Sequence, residues 1–126
     1  VGGIAWRFNT MTDVRKVADF RMHSRHWIVD ENDNIIMGEG RQEILENIEK
    51  TGSINKTAKV MKMSYKAVWG KIKATEKYMK ANIVHADRKE GTRLTDEGKV
   101  LLEKYKLLKK RCSKEDDKVF RSLFHP

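Results

Sequence analysis

Between residues 53 and 77 the chain reads SINKTAKVMKMSYKAVWGKIKATEK. Two serines, Ser53 and Ser64, each stand where a helix N-cap is wanted, because a short hydroxyl side chain can accept from the open amides of a first turn. The spacing predicts a short helix over residues 55–61, a tight turn at Lys62 and Met63, and a long helix from Ser64 to about Lys80. Two helices joined by about three residues cross steeply, and the small Ala58 allows them to approach. Ile54, Ala58, Met61, Met63, Val68, Ile72 and Thr75 fall where such a pair buries side chains. Ser64, Tyr65, Lys66, Trp69 and Lys73 share another face, which the inner stripe through Val68 and Ile72 leaves outside the core.

Charge is concentrated on the same part of the chain. Residues 53–93 hold eleven Lys/Arg against three acids, a net +8, whereas residues 30–50 hold seven acids and two bases, a net −5. The whole chain carries +9 at pH 7, so one contiguous third accounts for nearly all of the excess. Such a patch suits a polyanion, although a solvated lysine-rich face has the same composition.

The flanking segments complete a mainly α pattern with a small β wing. Residues 11–24 have weak helical spacing and are expected to form a short helix or ordered arm. Residues 1–10 (VGGIAWRFNT) read as a leader without a fold role. Apolar runs at residues 26–29 and 35–37 enclose the turn residues 30–34, the pattern of a hairpin. A helix is expected over residues 41–50, with Ile44, Leu45 and Ile48 inward and Gly52 closing it. Ile83 and Val84, then residues 92–94, read as two strands around a charged turn at 87–91. Thr95 is expected to cap a long helix carrying Val100, Leu101, Tyr105 and Leu108, and Ser113 to cap a last short helix bearing Val119, Phe120, Leu123 and Phe124.

An α-helix fits the major groove of B-DNA and meets base edges with its first turns. On that basis Ser64, Tyr65, Lys66 and Trp69 are candidate base contacts, with Lys66 able to donate to guanine and the two aromatics offering surface to thymine methyls. For Tyr65 and Trp69, four apart on one helix, mutual packing is the competing role. Asn55, Lys56 and Thr57 open the preceding helix, where amides and dipole favour a phosphate. Lys71, Lys73 and Lys77 can reach flanking phosphates, and Arg88, Lys89 and Arg93 can touch DNA from the wing, unless that tip is charged for solubility alone.

The segments GEGRQEILENIEKTGSINKTAKVMKMSYKAVWGKIKATEK and RLTDEGKVLLEKY resemble the DNA-binding domain of the ModE-type molybdate-responsive regulators. The matching pieces are Gly40 and Arg41, the Thr51, Gly52, Ser53, Ile54 run, Ala58, the Met63, Ser64, Tyr65, Lys66 run, Trp69, and Leu94, Thr95 and Gly98. The helix-turn-helix is also similar to the LysR type, whose recognition helix opens with Ser. The resemblance implies a winged helix-turn-helix dimer paired through the helix from Thr95 to Cys112. In that family a further C-terminal domain binds molybdate. The present sequence ends at Pro126 and has ADRKEGTRLT in place of a glycine-rich wing, departures that leave molybdate sensing, though not DNA binding, an open expectation.

Other chemistry is poorly served. His23 and His26 lack a nearby Cys or carboxylate to complete a metal set, His85 is isolated, and Cys112 has no evident base. No cofactor motif and no catalytic constellation is evident. A single cysteine is consistent with the reducing cytoplasm, and no run of 18 apolar residues exists.

The expected chain is thus a winged helix-turn-helix with a long C-terminal dimerisation helix. Residues 1–24 would be a leader or arm, 25–94 the DNA-binding domain and 95–126 a helical dimerisation segment. The expected function is sequence-specific binding of double-stranded DNA by a homodimeric regulator, with Leu101, Tyr105, Leu108, Phe120 and Phe124 at the interface and an inverted repeat as target. The alternative is a winged-helix module that binds protein or RNA. An effector is open.

Overall fold

The computed structural model describes residues 20–125, so residues 1–19 of the expected leader and arm lie outside the described part. Residues 20–24 are not helical. The element order is β1 (Ile28–Val29), β2 (Ile35–Met37), α1 (Glu39–Thr51), α2 (Ile54–Met61), α3 (Tyr65–Met79), β3 (Val84–Asp87), β4 (Gly91–Leu94) and α4 (Asp96–Phe124). The strands form two separate antiparallel pairs, β1 with β2 and β3 with β4. The chain divides into two compact units, residues 25–109 and a smaller one that includes residues 110–125.

In the larger unit the first hairpin turns on Asp30. Its carboxylate accepts from the amides of Asn32 (2.8 Å) and Asn34 (2.9 Å) and from the Asn34 side chain, while Asp33 takes a left-handed conformation. The Asn34 amide, chief among these donors, holds the Asp30 carboxyl below its ordinary range. Helix α1 ends where Gly52 turns left-handed (φ 67°) and its N–H returns to Ile48 O. Helix α2 starts on Ser53, whose Oγ accepts from Lys56 N at 3.1 Å, and stops at Lys62, with Met63 N donating to Ala58 O. Helix α3 repeats the device: Ser64 Oγ accepts from Ala67 N at 3.0 Å, and Lys80 closes the far end.

One core serves these elements. Ile44, Leu45 and Ile48 of α1, Ile54 and Ala58 of α2, and Val68 and Ile72 of α3 pack with Met37, Ile83, Val84, Leu94, Leu102 and Tyr105. Thr75, fully buried on α3, donates its hydroxyl to Ile36 O at 2.9 Å and so ties α3 to the first hairpin. The second hairpin docks through backbone. Thr92 N donates to Gly52 O at 2.9 Å, and a Cβ on Gly91, which is left-handed at φ 84°, would lie 2.8 Å from that same oxygen. The wing is thus fastened to the α1–α2 junction.

The start of α4 is fixed by Thr95. Its hydroxyl donates to Asn82 O and accepts from Gly98 N, and its amide donates to Ile83 O. The expected break at Ser113 does not occur: α4 is continuous over 29 residues. No glycine or proline interrupts residues 99–125, and the Lys, Arg and Glu around Ser113 are good helix formers. In the smaller unit Phe120 and Phe124 stack with centroids 5.0 Å apart, and the His125 ring meets Phe120 edge-on.

Tyr105 is a correction. Expected on a dimer interface, it has no exposed surface, and its hydroxyl donates to His26 O at 2.6 Å. The inward arc of α4 is centred on Gly98, Leu102 and Tyr105, which leaves Leu101 at its half-buried edge and Leu108 exposed. Burial, with a smaller contribution from Glu39, pushes the phenol above its ordinary pKa. Tyr105→Phe removes this bond and leaves the His26 carbonyl without it, so a loss of about 1 kcal/mol in urea unfolding is expected. An unchanged midpoint would show that the hydrogen bond contributes nothing net.

Candidate nucleic-acid interface

Three pieces of backbone meet at one open cleft. Its walls include Ser53 and Asn55 at the start of α2, Tyr65 at the start of α3, and Ala86, Arg88 and Thr92 of the wing. The sequence anticipated these three elements as separate contributors; the fold brings them to one place, because Gly52 both ends α1 and receives the wing.

On α3, Tyr65 and Lys66 are exposed in the first turn. Trp69 is half-buried, leaning on the edge of the core while its ring stacks with Tyr65 at 6.4 Å between centroids. Both sequence readings of the aromatic pair therefore describe part of the geometry: the rings pack on one another, and Tyr65 keeps an open face. Lys73 places its ammonium 4.4 Å from the centre of the Trp69 ring and 3.0 Å from Glu76 Oε1. Its charge is drawn inward, which limits its reach toward a flanking phosphate. Lys71 is exposed but on the opposite flank of α3, beside Arg41 of α1. Lys77 is exposed in the last turn.

At α2, Asn55 and Lys56 are exposed. Ser53 Oγ engages the Lys56 amide and Ser53 O engages the Thr57 amide, leaving those of Ile54 and Asn55 at the open end of the helix. Thr57 is a second correction. It is fully buried, with Oγ1 3.2 Å from Thr51 Oγ1, so its side chain packs between α1 and α2 rather than facing a phosphate. The fourth position of α2 points inward because Ile54 and Ala58, on either side of it along the helix, carry the core stripe.

In the wing, Arg88, Lys89 and Arg93 are exposed, and Arg93 pairs with Glu90 at 3.3 Å. Asp87 Oδ1 accepts from Lys89 N at 2.7 Å and Glu90 N at 3.4 Å, and these amides hold its carboxyl below the ordinary range. The three acids of residues 53–93 are thus all engaged within the chain: Asp87 in its turn, Glu90 with Arg93, and Glu76 under the surface.

Glu76 was missed as a functional position. It is 7% exposed, and its Oε2 accepts from the amides of Ile83 (2.8 Å) and Val84 (3.3 Å) while Oε1 meets Lys73. One carboxylate therefore links α3 to the base of the wing. The available signal was its place on the inner arc of α3, one residue after Thr75 and four after Ile72.

Among the described residues there is no group of three or more side chains fit to hold a metal ion, and no helix is long and apolar enough to cross a membrane. Cys112 is a half-buried free thiol.

Fold and face together define a winged helix-turn-helix domain. Residues 41–99 match the family described as bacterial regulatory helix-turn-helix protein, lysR family. The chain is 34% identical over 76 residues to the molybdenum transport protein ModE of Azotobacter vinelandii, an alignment that takes in 57% of this chain and 28% of that protein. The chain thus spans little more than a quarter of the length of that relative. Among solved structures it is similar to the DNA-binding domain of CbnR in a DNA complex (TM-score 0.56, 16% identity, 68% of this chain and 98% of that one). It is also similar to full-length CbnR complexed with its target DNA (TM-score 0.55, 16% identity, 68% and 29%).

Proposed function

We propose that this chain binds double-stranded DNA with sequence preference and acts as a bacterial transcriptional regulator by binding rather than catalysis, in the cytoplasm. The observation that carries the reading is the convergence of the α2 start, the α3 start and the wing on one cleft, where the one lining acid, Asp87, is held by the amides of its own turn. The α3 start enters the major groove, with Ser64, Tyr65, Lys66 and the rim of Trp69 toward base edges. Asn55 and Lys56 meet a phosphate, and Lys77, Arg88, Lys89 and Arg93 supply flanking backbone and minor-groove contacts, whereas Lys71 and Lys73 face away or inward. The solved structures of similar fold that are described as DNA complexes support duplex DNA as the partner. A homodimer formed through α4, with Leu101, Leu108, Phe120 and Phe124 contributing, would present two such helices to an inverted repeat.

The roles separate by measurement. Lys66→Ala or Tyr65→Ala is expected to relax preference at one base position at a cost of roughly 1–3 kcal/mol. Lys56→Ala should weaken all duplexes alike and lower the slope of affinity against salt by about one contact. Binding-site selection with each variant distinguishes the two patterns. If Lys66→Ala kept the wild-type preference at every position, base reading would not run through that residue. A-form RNA closes its major groove to a helix, so duplex RNA of equal length is expected to bind weakly and without preference.

A further inference from the structure

Three described glycines have internal reasons to be glycine: Gly52 and Gly91 are left-handed, and Gly98 is pressed against Ile83. Gly40 and Gly70 are exposed helical residues with room for a Cβ, Gly40 in the first turn of α1 and Gly70 in a helix interior. Gly70 is in the middle of α3, in helical conformation, exposed, and a Cβ there would meet nothing within 4 Å beyond its own helix. Glycine in an exposed helix interior destabilises relative to alanine, because it gives up more backbone freedom on folding. The free protein therefore bears a cost at this position that none of the described packing offsets.

The surroundings of Gly70 point to what offsets it. Residues 66, 70, 73 and 77 recur at helical spacing along one line of α3, and the other three are lysines. The Lys73 ammonium is drawn aside to Glu76 and the Trp69 ring. What remains is a cationic ridge with a bare backbone gap at its centre, one turn beyond Lys66. A charged ridge with no side chain at its middle allows a polyanion to come up to the helix backbone itself.

We infer that Gly70 is the point of closest approach between α3 and the major-groove floor, where base-pair edges pack directly on its Cα and the missing side chain sets how deeply the helix sits. This rests on the proposed DNA binding. A single methyl at position 70 lifts the helix and weakens the base contacts of the Tyr65 and Lys66 turn, while phosphate contacts, which tolerate small displacements, persist.

The test compares the wild-type chain with Gly70→Ala, Gly70→Ser and Gly70→Leu on a duplex that the wild type selects from a random library. Gly70→Ala should raise the Tm by a few degrees and weaken binding about ten- to a hundredfold, the range that an added methyl produces in a close-packed contact. Gly70→Ser should also weaken binding and Gly70→Leu should weaken it further, with the salt slope of all three near that of wild type. Gly70→Ala binding within about twofold of wild type overturns the inference and leaves DNA binding standing. A lowered Tm in both Gly70→Ala and Gly70→Ser overturns it by revealing an internal role for the glycine. A changed sedimentation coefficient with unchanged DNA affinity overturns it in favour of a protein contact. Failure of the wild type to enrich any duplex removes the DNA reading itself, and this inference with it.

Discussion

Gly98→Ala is expected to destabilise the domain by about 3 kcal/mol, at the upper end of the overpacking range, although alanine is the better helix former. A Cβ at position 98 would overlap the carbonyl oxygen of Ile83 and come within 3.0 Å of its carbonyl carbon and 3.2 Å of its Cα. These are backbone atoms, so no side chain can swing away. Relief requires α4 to move off the base of the wing. The same Ile83 carbonyl accepts from Thr95 N, and Gly98 N donates to Thr95 Oγ1, so any displacement strains the cap that starts α4. The helix propensity gain of about 1 kcal/mol is too small to compensate. Chemical denaturation of Gly98→Ala against wild type measures this directly. A midpoint equal to or above wild type would mean that α4 shifts at no cost, contrary to the contact described.

The second large effect is at Glu76. Glu76→Ala leaves the Ile83 and Val84 amides, both on buried residues, without their acceptor, and each such orphan costs about 1–3 kcal/mol. A loss of about 3 kcal/mol is expected, and Glu76→Gln, which keeps one carbonyl acceptor but loses the charge opposite Lys73, should cost about a third of that. The pair also separates stability from placement. In Glu76→Gln the Lys73 ammonium is released from its carboxylate, so wing and helix stay joined while the cation is freed for phosphate. Equal losses in the two variants would show that the ion pair, rather than the amide acceptor, carries the stabilisation.

The parts of the fold that were legible in the sequence are those set by local chemistry. Ser53 and Ser64 cap the helices they were expected to cap, because an N-cap needs a side-chain oxygen and a few following residues. Gly52 ends α1 as a left-handed residue, and residues 30–34 turn on Asp30, for similarly local reasons. What was not legible depended on distant partners. Tyr105 lies on the same apolar stripe as Leu101 and Leu108, and spacing alone could not tell the inner edge of that stripe from the outer. The His26 carbonyl, 79 positions away, decides it. Thr57 looked like a surface residue because threonine is polar and stood in a first turn, yet its hydroxyl is met by Thr51 across the α1–α2 junction. Glu76 looked like a stray negative charge in a basic segment, since nothing in the helix announces the two wing amides waiting beside it. The missing break at Ser113 has a different cause: a serine that can cap a helix is also tolerated inside one when good helix formers surround it.

For the candidate site the same division holds. The exposed positions Asn55, Lys56, Tyr65, Lys66, Arg88 and Lys89 follow from periodicity and charge. Their convergence follows from the Thr92 to Gly52 bond that docks the wing, a contact 40 residues apart in sequence that no local pattern reveals.

The most direct measurement is a salt titration of binding to three probes of equal length: a duplex DNA selected by the chain, its scrambled counterpart and a duplex RNA. Affinity for both DNAs is expected to fall steeply with salt as counterions are released. At moderate salt the selected duplex should bind about a thousandfold or more tightly than the scrambled one. Equal affinity for all three probes, or no duplex enriched by selection, would contradict sequence reading by the α3 face.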